Sequence, residues 1–425
     1  MKIKESLLIA SILSLSGLPA SIQAGPLVSI GDSVDVFFSG SSSVKWQSNV
    51  LYDENDEIED LLFTLSPGFE VNVGRGVSNL DLSIITSYDI LRYDDLTELD
   101  NELFHIKAVS SYKNTRWDVS GSVSYDEKQS SGADGNTNRL GRLTESDELR
   151  ANLEGEYRLS PKFSIGSGVK YSDLEYQDEP SIADRETTTI PLDIFYELSP
   201  KIGLSVGYQY QTSEVGEVSL GNTTSGRFTD SYDKTSHFIN VGARGELLPK
   251  LTGFFKVGYR EKDSDDSDIR SYSTSILTLS KSNRKSQSTL GLDADLTYSV
   301  TPKVTSRLNL GRDFGVGGEG QNTENTSVDA SATYSINMHY SASAFAGYTL
   351  REYTESDNDD NIYRIGARLS YVPNEFWRFS AGYMYVENDS DRALQSYENH
   401  ILDLSASLRY WLIWTSSRYC GLNAS

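Results

Sequence analysis

The chain is poor in cysteine, histidine and uninterrupted apolar runs, and each shortage removes a class of protein. Cys420 is the only cysteine in 425 residues, so no intramolecular disulfide can hold the fold. The histidines, His105, His237, His339 and His400, are scattered, and none has a Ser or Asp partner at a spacing that nominates a catalytic triad. After the N-terminal segment no run of roughly 18 apolar residues occurs, and mean hydropathy is −0.42, so no transmembrane helix is available. A membrane barrel stays open, because only alternate residues of its strands face lipid. Basic residues are also scarce beside acidic ones, 38 against 61, for a net charge of −23. Such a surface repels nucleic acid, whose binding depends on Lys and Arg neutralising phosphates.

What is present begins with an export signal. Lys2 and Lys4 precede an apolar stretch from Leu7 to Leu18, and Ile22-Gln23-Ala24 supplies a small residue at a cleavage point. Residues 1–24 are therefore expected to be a signal peptide, with a mature start near Gly25. The apolar run is shorter than the about 20 residues a membrane-spanning helix needs. Residues 25–411 are expected to form one domain, followed by a C-terminal tail, residues 412–425, that carries Cys420.

The mature chain repeats a two-strand unit. Tyr157-Arg158-Leu159-Ser160-Pro161-Lys162-Phe163 returns as Tyr196-Glu197-Leu198-Ser199-Pro200-Lys201-Ile202, and more loosely at Leu248-Pro249-Lys250-Leu251 and Val300-Thr301-Pro302-Lys303-Val304. Similar breaks fall at Gly74-Arg75-Gly76, Lys113-Asn114-Thr115, Ser335-Ile336-Asn337 and Val372-Pro373-Asn374. Pro, Gly and Asn preset tight-turn geometry, so these read as hairpin turns. Apolar and polar residues alternate beside each one, as in Ile202, Leu204, Val206, Tyr208 and Tyr210 against Gly203, Ser205, Gly207 and Gln209. Runs of about 9 to 11 alternating residues suffice to cross a membrane as strands. Longer acidic connections separate the pairs: Asp53 to Asp60, Glu127 to Asp147, Ser213 to Lys234, Glu261 to Gln287 and Glu352 to Asn361. Short turns at one end and long polar loops at the other predict a single antiparallel up-and-down transmembrane β-barrel, all-β, of about 18 strands with 16 as the alternative. An even number keeps both termini in the periplasm. Pro191 interrupts the run Thr188 to Tyr196, and a bulge there would reconcile it with a strand.

The polar set of the alternation carries charge at Arg150, Glu154, Glu156, Arg158, Lys170, Arg244, Lys256, Asp293, Asp295, Arg307, Arg364, Arg368, Arg378 and Arg409. Arg or Lys facing lipid at mid-membrane costs about 2–4 kcal/mol, so this set is expected to line the lumen. Tyr112, Tyr157, Tyr196, Tyr298, Tyr334, Tyr371 and Tyr410 sit beside the short turns, and Tyr208, Tyr259 and Tyr383 lie toward the long loops. A phenol buries its ring and keeps its hydroxyl wet, so two such bands predict the two membrane interfaces. Ordinary strand-forming tyrosines in a soluble sandwich or propeller are the alternative, and the export signal weighs against it. The strand map puts His339 in a short turn and His237 in the lipid-facing or rim register. The acidic runs Asp263-Ser264-Asp265-Asp266-Ser267-Asp268 and Asp357-Asn358-Asp359-Asp360 offer oxygens that suit calcium, but lack the Gly and distal Glu of a calcium loop. Solvated loop tips are the expected reading, with no metal, no cofactor and no enzymatic activity.

The segment Ser48-Asn49-Val50-Leu51-Tyr52-Asp53 followed by Phe63-Thr64-Leu65-Ser66-Pro67-Gly68-Phe69-Glu70 resembles the opening hairpin of the outer-membrane family called putative β-barrel porin 2. The Leu-Ser-Pro-Lys turns and the last strand, Asn399 to Tyr410, are similar too. The resemblance implies a Gram-negative-type outer membrane, lipid as a partner, and a link to exopolysaccharide export with polysaccharide and periplasmic export components as further partners. The expected function is an outer-membrane channel for polysaccharide export. The alternatives are a diffusion porin for small hydrophilic solutes and a structural or adhesive barrel acting through its loops.

Overall fold

The computed structural model describes residues 28–30, 33–74, 78–131, 143–177, 179–222, 225–273, 276–282, 284 and 286–410. The expected signal peptide and the tail after Trp411 lie outside the described residues. In chain order the strands are β1 (Val28–Ile30), β2 (Val34–Gln47), β3 (Asp60–Val73), β4 (Leu80–Tyr93), β5 (Asn101–Lys113), β6 (Trp117–Ser131), β7 (Leu143–Arg158), β8 (Phe163–Tyr176), β9 (Arg185–Glu197), β10 (Ile202–Val215), β11 (Val218–Asn222) and β12 (Ser225–Thr229). They continue as β13 (Tyr232–Leu248), β14 (Leu251–Ser264), β15 (Ser267–Ser273), β16 (Ile276–Ser282), β17 (Gln287–Thr301), β18 (Val304–Val316), β19 (Asn322–Ser335), β20 (Tyr340–Tyr353), β21 (Asp359–Tyr371), β22 (Trp377–Ser390) and β23 (Tyr397–Tyr410).

β2–β10, β13, β14 and β17–β23 each pair antiparallel with the next, and β23 returns to β2, which closes an 18-strand barrel as the repeat predicts. At about 3.4 Å per residue and a tilt of about 45°, a 14-residue strand rises roughly 34 Å, enough for a hydrocarbon core of about 30 Å. The alternation becomes two faces. Val206, Val241, Val257 and Leu292 share one register row pointing outward, and Ser205, Gly242, Lys256 and Asp293 share the neighbouring inward row. Outward Leu153, Val206, Ile239, Val241, Leu290, Ile365 and Leu404 are each more than half exposed, which in water would be an aggregating surface and in lipid is a solvated one.

The short turns share a device that the Pro and Gly signals only partly describe. In Ser160-Pro161-Lys162-Phe163 the backbone N–H groups of Lys162 and Phe163 donate to the Ser160 hydroxyl, and Ser199 and Thr301 accept from the corresponding pair in their turns. The Asn114, Asn337 and Asn374 side-chain oxygens do the same. A side-chain oxygen two and three residues before the donors thus fixes each hairpin. In the two-residue turn Pro249–Lys250, Lys250 takes φ of 69°.

Two expectations need correction. The register of β8 with β9 runs Ser167↔Leu192 and Lys170↔Thr189 without a shift, so Pro191 causes no bulge. The ladder merely lacks bonds there, and the Ser167 hydroxyl donates to the Pro191 carbonyl across the gap. The long connections are also more ordered than loops. Within Ser213 to Lys234 and Glu261 to Gln287, β11, β12, β15 and β16 form a second four-stranded sheet, because β12 pairs β15 as β13 pairs β14 below. Of the connection from Glu127 to Asp147, only residues 132–142 fall outside β6 and β7, and these are not described.

Closure relies on more than the β2–β23 ladder. Asn49 and Asn399 are fully buried just beyond it. The Asn49 backbone N–H donates to Asn399 Oδ1 at 3.2 Å, and Asn399 Nδ2 donates to the Asn49 carbonyl at 2.9 Å. Asn49 also binds the Asp53 and Glu398 carbonyls through Nδ2, and His400 N–H donates to the Ser48 hydroxyl.

Candidate functional site

The charged strand positions named above all fall on the inward parity of the barrel, and most meet an opposite charge. Arg244 reaches Glu156 at 2.7 Å and Glu197 at 3.2 Å, Lys256 reaches Asp193 at 2.9 Å, and Lys170 meets Glu154 at 2.8 Å. Arg364 meets Asp329 at 3.3 Å, Arg368 meets Asp403 at 2.8 Å, Arg409 meets Glu70 at 2.8 Å, and Arg307 lies 3.7 Å from Asp295. Arg150 and Lys128 both pair with Glu148. Asp293 sits in the row of Lys256, Arg378 faces inward opposite Ser407, and Arg158 is exposed at the turn-end rim.

Glycine shapes these pairs. Gly203 stands between Arg244 and Glu197, Gly347 between Arg364 and Asp329, and Gly382 between Arg368 and Asp403, each on the intervening strand. A Cβ would come within 2.6 Å of Asp329 Oδ1 at Gly347 and within 2.3 Å of Asp403 Oδ1 at Gly382. The missing side chains let long cations lie flat along the wall and reach an acid two strands away. Arginine planes also cover inward phenyl rings, Arg244 over Phe195 at 3.5 Å and Arg409 over Phe37 at 3.9 Å. The sequence reading found the cations and missed Glu70, Asp193, Asp329 and Asp403; the last three lie at inward positions in register with a glycine, a register that only the assembled barrel supplies.

At the long-loop end the lumen is narrowed from within. β17 pairs with β18 only as far as Leu292↔Arg312, so Gln287–Gly291 have β14 on one side and no β18 partner on the other. Above that point β18 and β19 stay paired to each other and lean inward as a hairpin. Gly318 accepts a hydrogen bond from Ala183 N–H at 2.7 Å, and Gly320 accepts one from the Tyr232 hydroxyl at 2.7 Å. Ala183, Val215, Val218 and Tyr232 form a buried apolar cluster beneath it, with Val316 packed against them. Among the described residues a side-chain bond reaches across the open edge, from the Thr289 hydroxyl to Glu324 at 2.7 Å, and Glu324 also holds Arg312 within the hairpin.

The tyrosines predicted at the interfaces all point outward. Tyr157 packs on Trp117 with ring centroids 4.7 Å apart, Tyr196 on Phe163 at 5.1 Å and Tyr371 on Tyr340 at 4.6 Å, at the turn end. Tyr112, Tyr298, Tyr334 and Tyr410 are exposed at that level, and Tyr259 is exposed toward the loops. At the loop end Tyr208 bonds His237 at 2.7 Å and Tyr383 bonds His400 at 2.9 Å. His339 is in a short turn.

Sequence spacing nominates no partner for any histidine, but the fold gives His105 two. The ladder sets its Nδ1 3.2 Å from Asp126 and its Nε2 3.5 Å from Asp89, residues of two neighbouring strands. With a carboxylate at each ring nitrogen, neither is free to take a proton from a substrate. The acidic runs are solvated tips only in part, at the exposed Asp265, Asp266 and Asp357. Asp263 and Ser264 end β14, Ser267 and Asp268 open β15, and Asp360 is 1% exposed between Arg351 and Arg392. Among the described residues the acids close enough to share a cation are Asp60, Asp94 and Asp95, and Asp60 already accepts from the backbone N–H groups of Asp95 and Leu96.

A closed 18-strand barrel with an apolar exterior and a charged, polar interior defines the porin-like class of outer-membrane barrels. Residues 223–410 match the family model described as Putative beta-barrel porin 2, in line with the resemblance read from the sequence. The barrel and the family match over these residues point to an outer-membrane location. No curated protein matches it. Solved structures similar to it include the ferric-catecholate import receptor Fiu from E. coli K12, at 9% identity over 91% of this chain and 82% of that one with a TM-score of 0.48. Others are the outer membrane protein OpdK from Pseudomonas aeruginosa, at 8% identity over 88% and 99% with a TM-score of 0.40, and a bacterial polysaccharide outer membrane secretin, at 9% over 90% and 100% with a TM-score of 0.34.

Proposed function

We propose that the barrel is a channel that carries polysaccharide out across the outer membrane, with its short turns in the periplasm and its long loops outside. The observation that carries the reading is the inward wall, where flat-lying ion pairs such as Arg364–Asp329 and Arg368–Asp403 alternate with small and hydroxyl residues. A barrel of this strand number has room for an aqueous lumen, and paired charges lying along its wall can exchange hydrogen bonds with sugar hydroxyls without trapping an ion. Polysaccharide is favoured over other hydrophilic cargo by the link to exopolysaccharide export that the sequence resemblance implies. We assign the inward charges as pore-lining residues, the outward tyrosines as membrane-interface residues, and no catalytic role to any residue.

A second reading rests on the protruding sheet. Ile276, Leu277 and Leu279 of β16 are more than half exposed beyond the barrel, a surface that suits an adhesive or structural role. Planar-bilayer recording on the purified protein separates the two. Steady current that falls when oligosaccharide is added supports the channel, and silence supports the scaffold. In a conducting barrel, Arg364→Gln with Arg368→Gln leaves Asp329 and Asp403 uncompensated and shifts the reversal potential toward cation selectivity. An unmoved reversal potential would remove these residues from the pore.

A further inference from the structure

Besides the Ala183 and Tyr232 hydrogen bonds and the apolar packing of Val316, five cations hold the inward hairpin of β18 and β19. Arg260 Nη1 lies 2.8 Å from the Asp313 carboxylate, the Lys262 ammonium sits over the Phe314 ring at 4.9 Å, and Lys234 donates to the Gly315 carbonyl at 3.2 Å. Arg185 donates to the Val316 carbonyl at 2.7 Å, and Arg284 to the Gly320 carbonyl at 3.3 Å. Consecutive hairpin residues thus occupy consecutive cations on β9, β13, β14 and the segment after β16. Lys262 is completely buried, and its ammonium has no hydrogen-bond acceptor among the described residues. Among the described residues, direct ion pairs of these five cations engage Arg260, with Asp313, and Arg284, with Glu355 at 3.0 Å. Elsewhere in the wall most cations are matched by acids; here, in a chain of net charge −23, Arg185, Lys234 and Lys262 meet carbonyl oxygens or a ring face instead. Burying ammonium groups against neutral partners is costly, and a ligand bearing carboxylates would satisfy them better.

We infer that this cationic shelf is a binding site for an acidic polysaccharide, and that the hairpin from Asp313 to Gly320 is a built-in surrogate which the polymer displaces. The inference rests on the channel reading and names the class of its cargo. β18 has already left β17, with the Thr289–Glu324 side-chain bond reaching across that edge, while β19 keeps its ladder to β20 as far as Thr323, so the hairpin moves as a flap hinged on β20. Its Asp313 carboxylate and successive carbonyls present the shelf with the kind of oxygens a uronic-acid chain carries.

The test uses the full-length barrel in planar bilayers, with polygalacturonate and neutral dextran of equal length as probes. Polygalacturonate is expected to bind and reduce the current, and dextran to do neither. Lys234→Gln with Lys262→Gln should weaken polygalacturonate by about tenfold or more, the scale of losing charge-assisted bonds, without abolishing ion current. A Cβ at Gly320 stands 3.9 Å from that of Ala183, within reach of a disulfide. In a Cys420→Ser background, Ala183→Cys with Gly320→Cys should therefore lose polygalacturonate binding when oxidised and regain it when reduced, with heat-modifiability confirming a folded barrel. Binding that survives oxidation would show that the hairpin does not move aside, and would overturn the inference. A conducting wild type that treats the two polymers alike would overturn it too, leaving the channel reading intact. Absence of current in every folded form would remove both.

Discussion

β2 and β23 are separated by nearly the whole chain, whereas β17 and β18 are joined by the two-residue turn Pro302–Lys303; the distant pair keeps its ladder to the outer end and the adjacent pair does not. Gln47 still pairs with Ile401 at the last row of β2, and the Asn49–Asn399 exchange extends the seam beyond it. β18 leaves β17 with Gln287–Gly291 still unpaired on that edge. A tight turn fixes only the end of a hairpin that it joins. At the other end, strands stay together if the groups above them hydrogen-bond across the seam, and separate if something else binds one of them better. Two buried asparagines do the first, and the cations under the β18–β19 hairpin do the second.

The largest effect is expected where the distant seam is sealed. Asn49→Ala with Asn399→Ala removes buried amides that serve backbone groups on both sides, and orphaned buried groups cost about 1–3 kcal/mol each. The double variant should lose its compact unboiled band on a gel at a distinctly lower temperature. Thr289→Ala with Glu324→Ala, across the open edge, should shift that temperature little. Equal losses from the two variants would mean that the open edge carries as much of the closure as the asparagines do.

Hydrogen exchange tests the same contrast without substitution. Peptides spanning Gln287–Gly291 should exchange faster than those spanning Lys45–Gln47, whose ladder is complete on both sides. Similar protection would show that the β17–β18 edge is closed in the membrane.

The closed barrel, its strand number and its two faces were legible because each follows from short-range signals: turns at regular spacing, and period-two alternation between them. The Ser48-Asn49 and Asn399-His400 segments were legible only as resemblance, and their meaning appears when the ladder brings residues 350 apart into hydrogen-bond contact. The ion-pair partners of Arg364 and Arg368 were not readable, since the link passes over a glycine on a third strand and depends on register that no single hairpin specifies. The inward hairpin was hidden for a related reason. Its residues Asp313 to Val316 continue the β18 alternation without a break, and what draws them inward is supplied by β9, β13 and β14. Reading the acidic runs as solvated tips failed likewise at Asp360, because Arg351 and Arg392, which bury it, approach from β20 and from the loop before β23.

The smallest predicted effect asks whether the two ends of the β17–β18 hairpin are independent. Thr301 accepts from Lys303 N–H at 3.2 Å and Val304 N–H at 3.0 Å, so Thr301→Ala removes the side-chain oxygen that fixes the turn. Exposed as this site is, the cost should be about 0.5–1 kcal/mol, the net worth of an ordinary hydrogen bond. The ladder from Leu292↔Arg312 to Ser299↔Thr305 stands between the turn and the open edge, and each of its rows would have to loosen before a change at one end reached the other. Thr301→Ala should therefore lower the unfolding temperature slightly and leave exchange at Gln287–Gly291 unchanged. Faster exchange there in the variant would show that the turn holds the whole hairpin in register, and that the open edge reflects a weak ladder instead of the pull of Lys234, Arg260 and Lys262 on the opposite side.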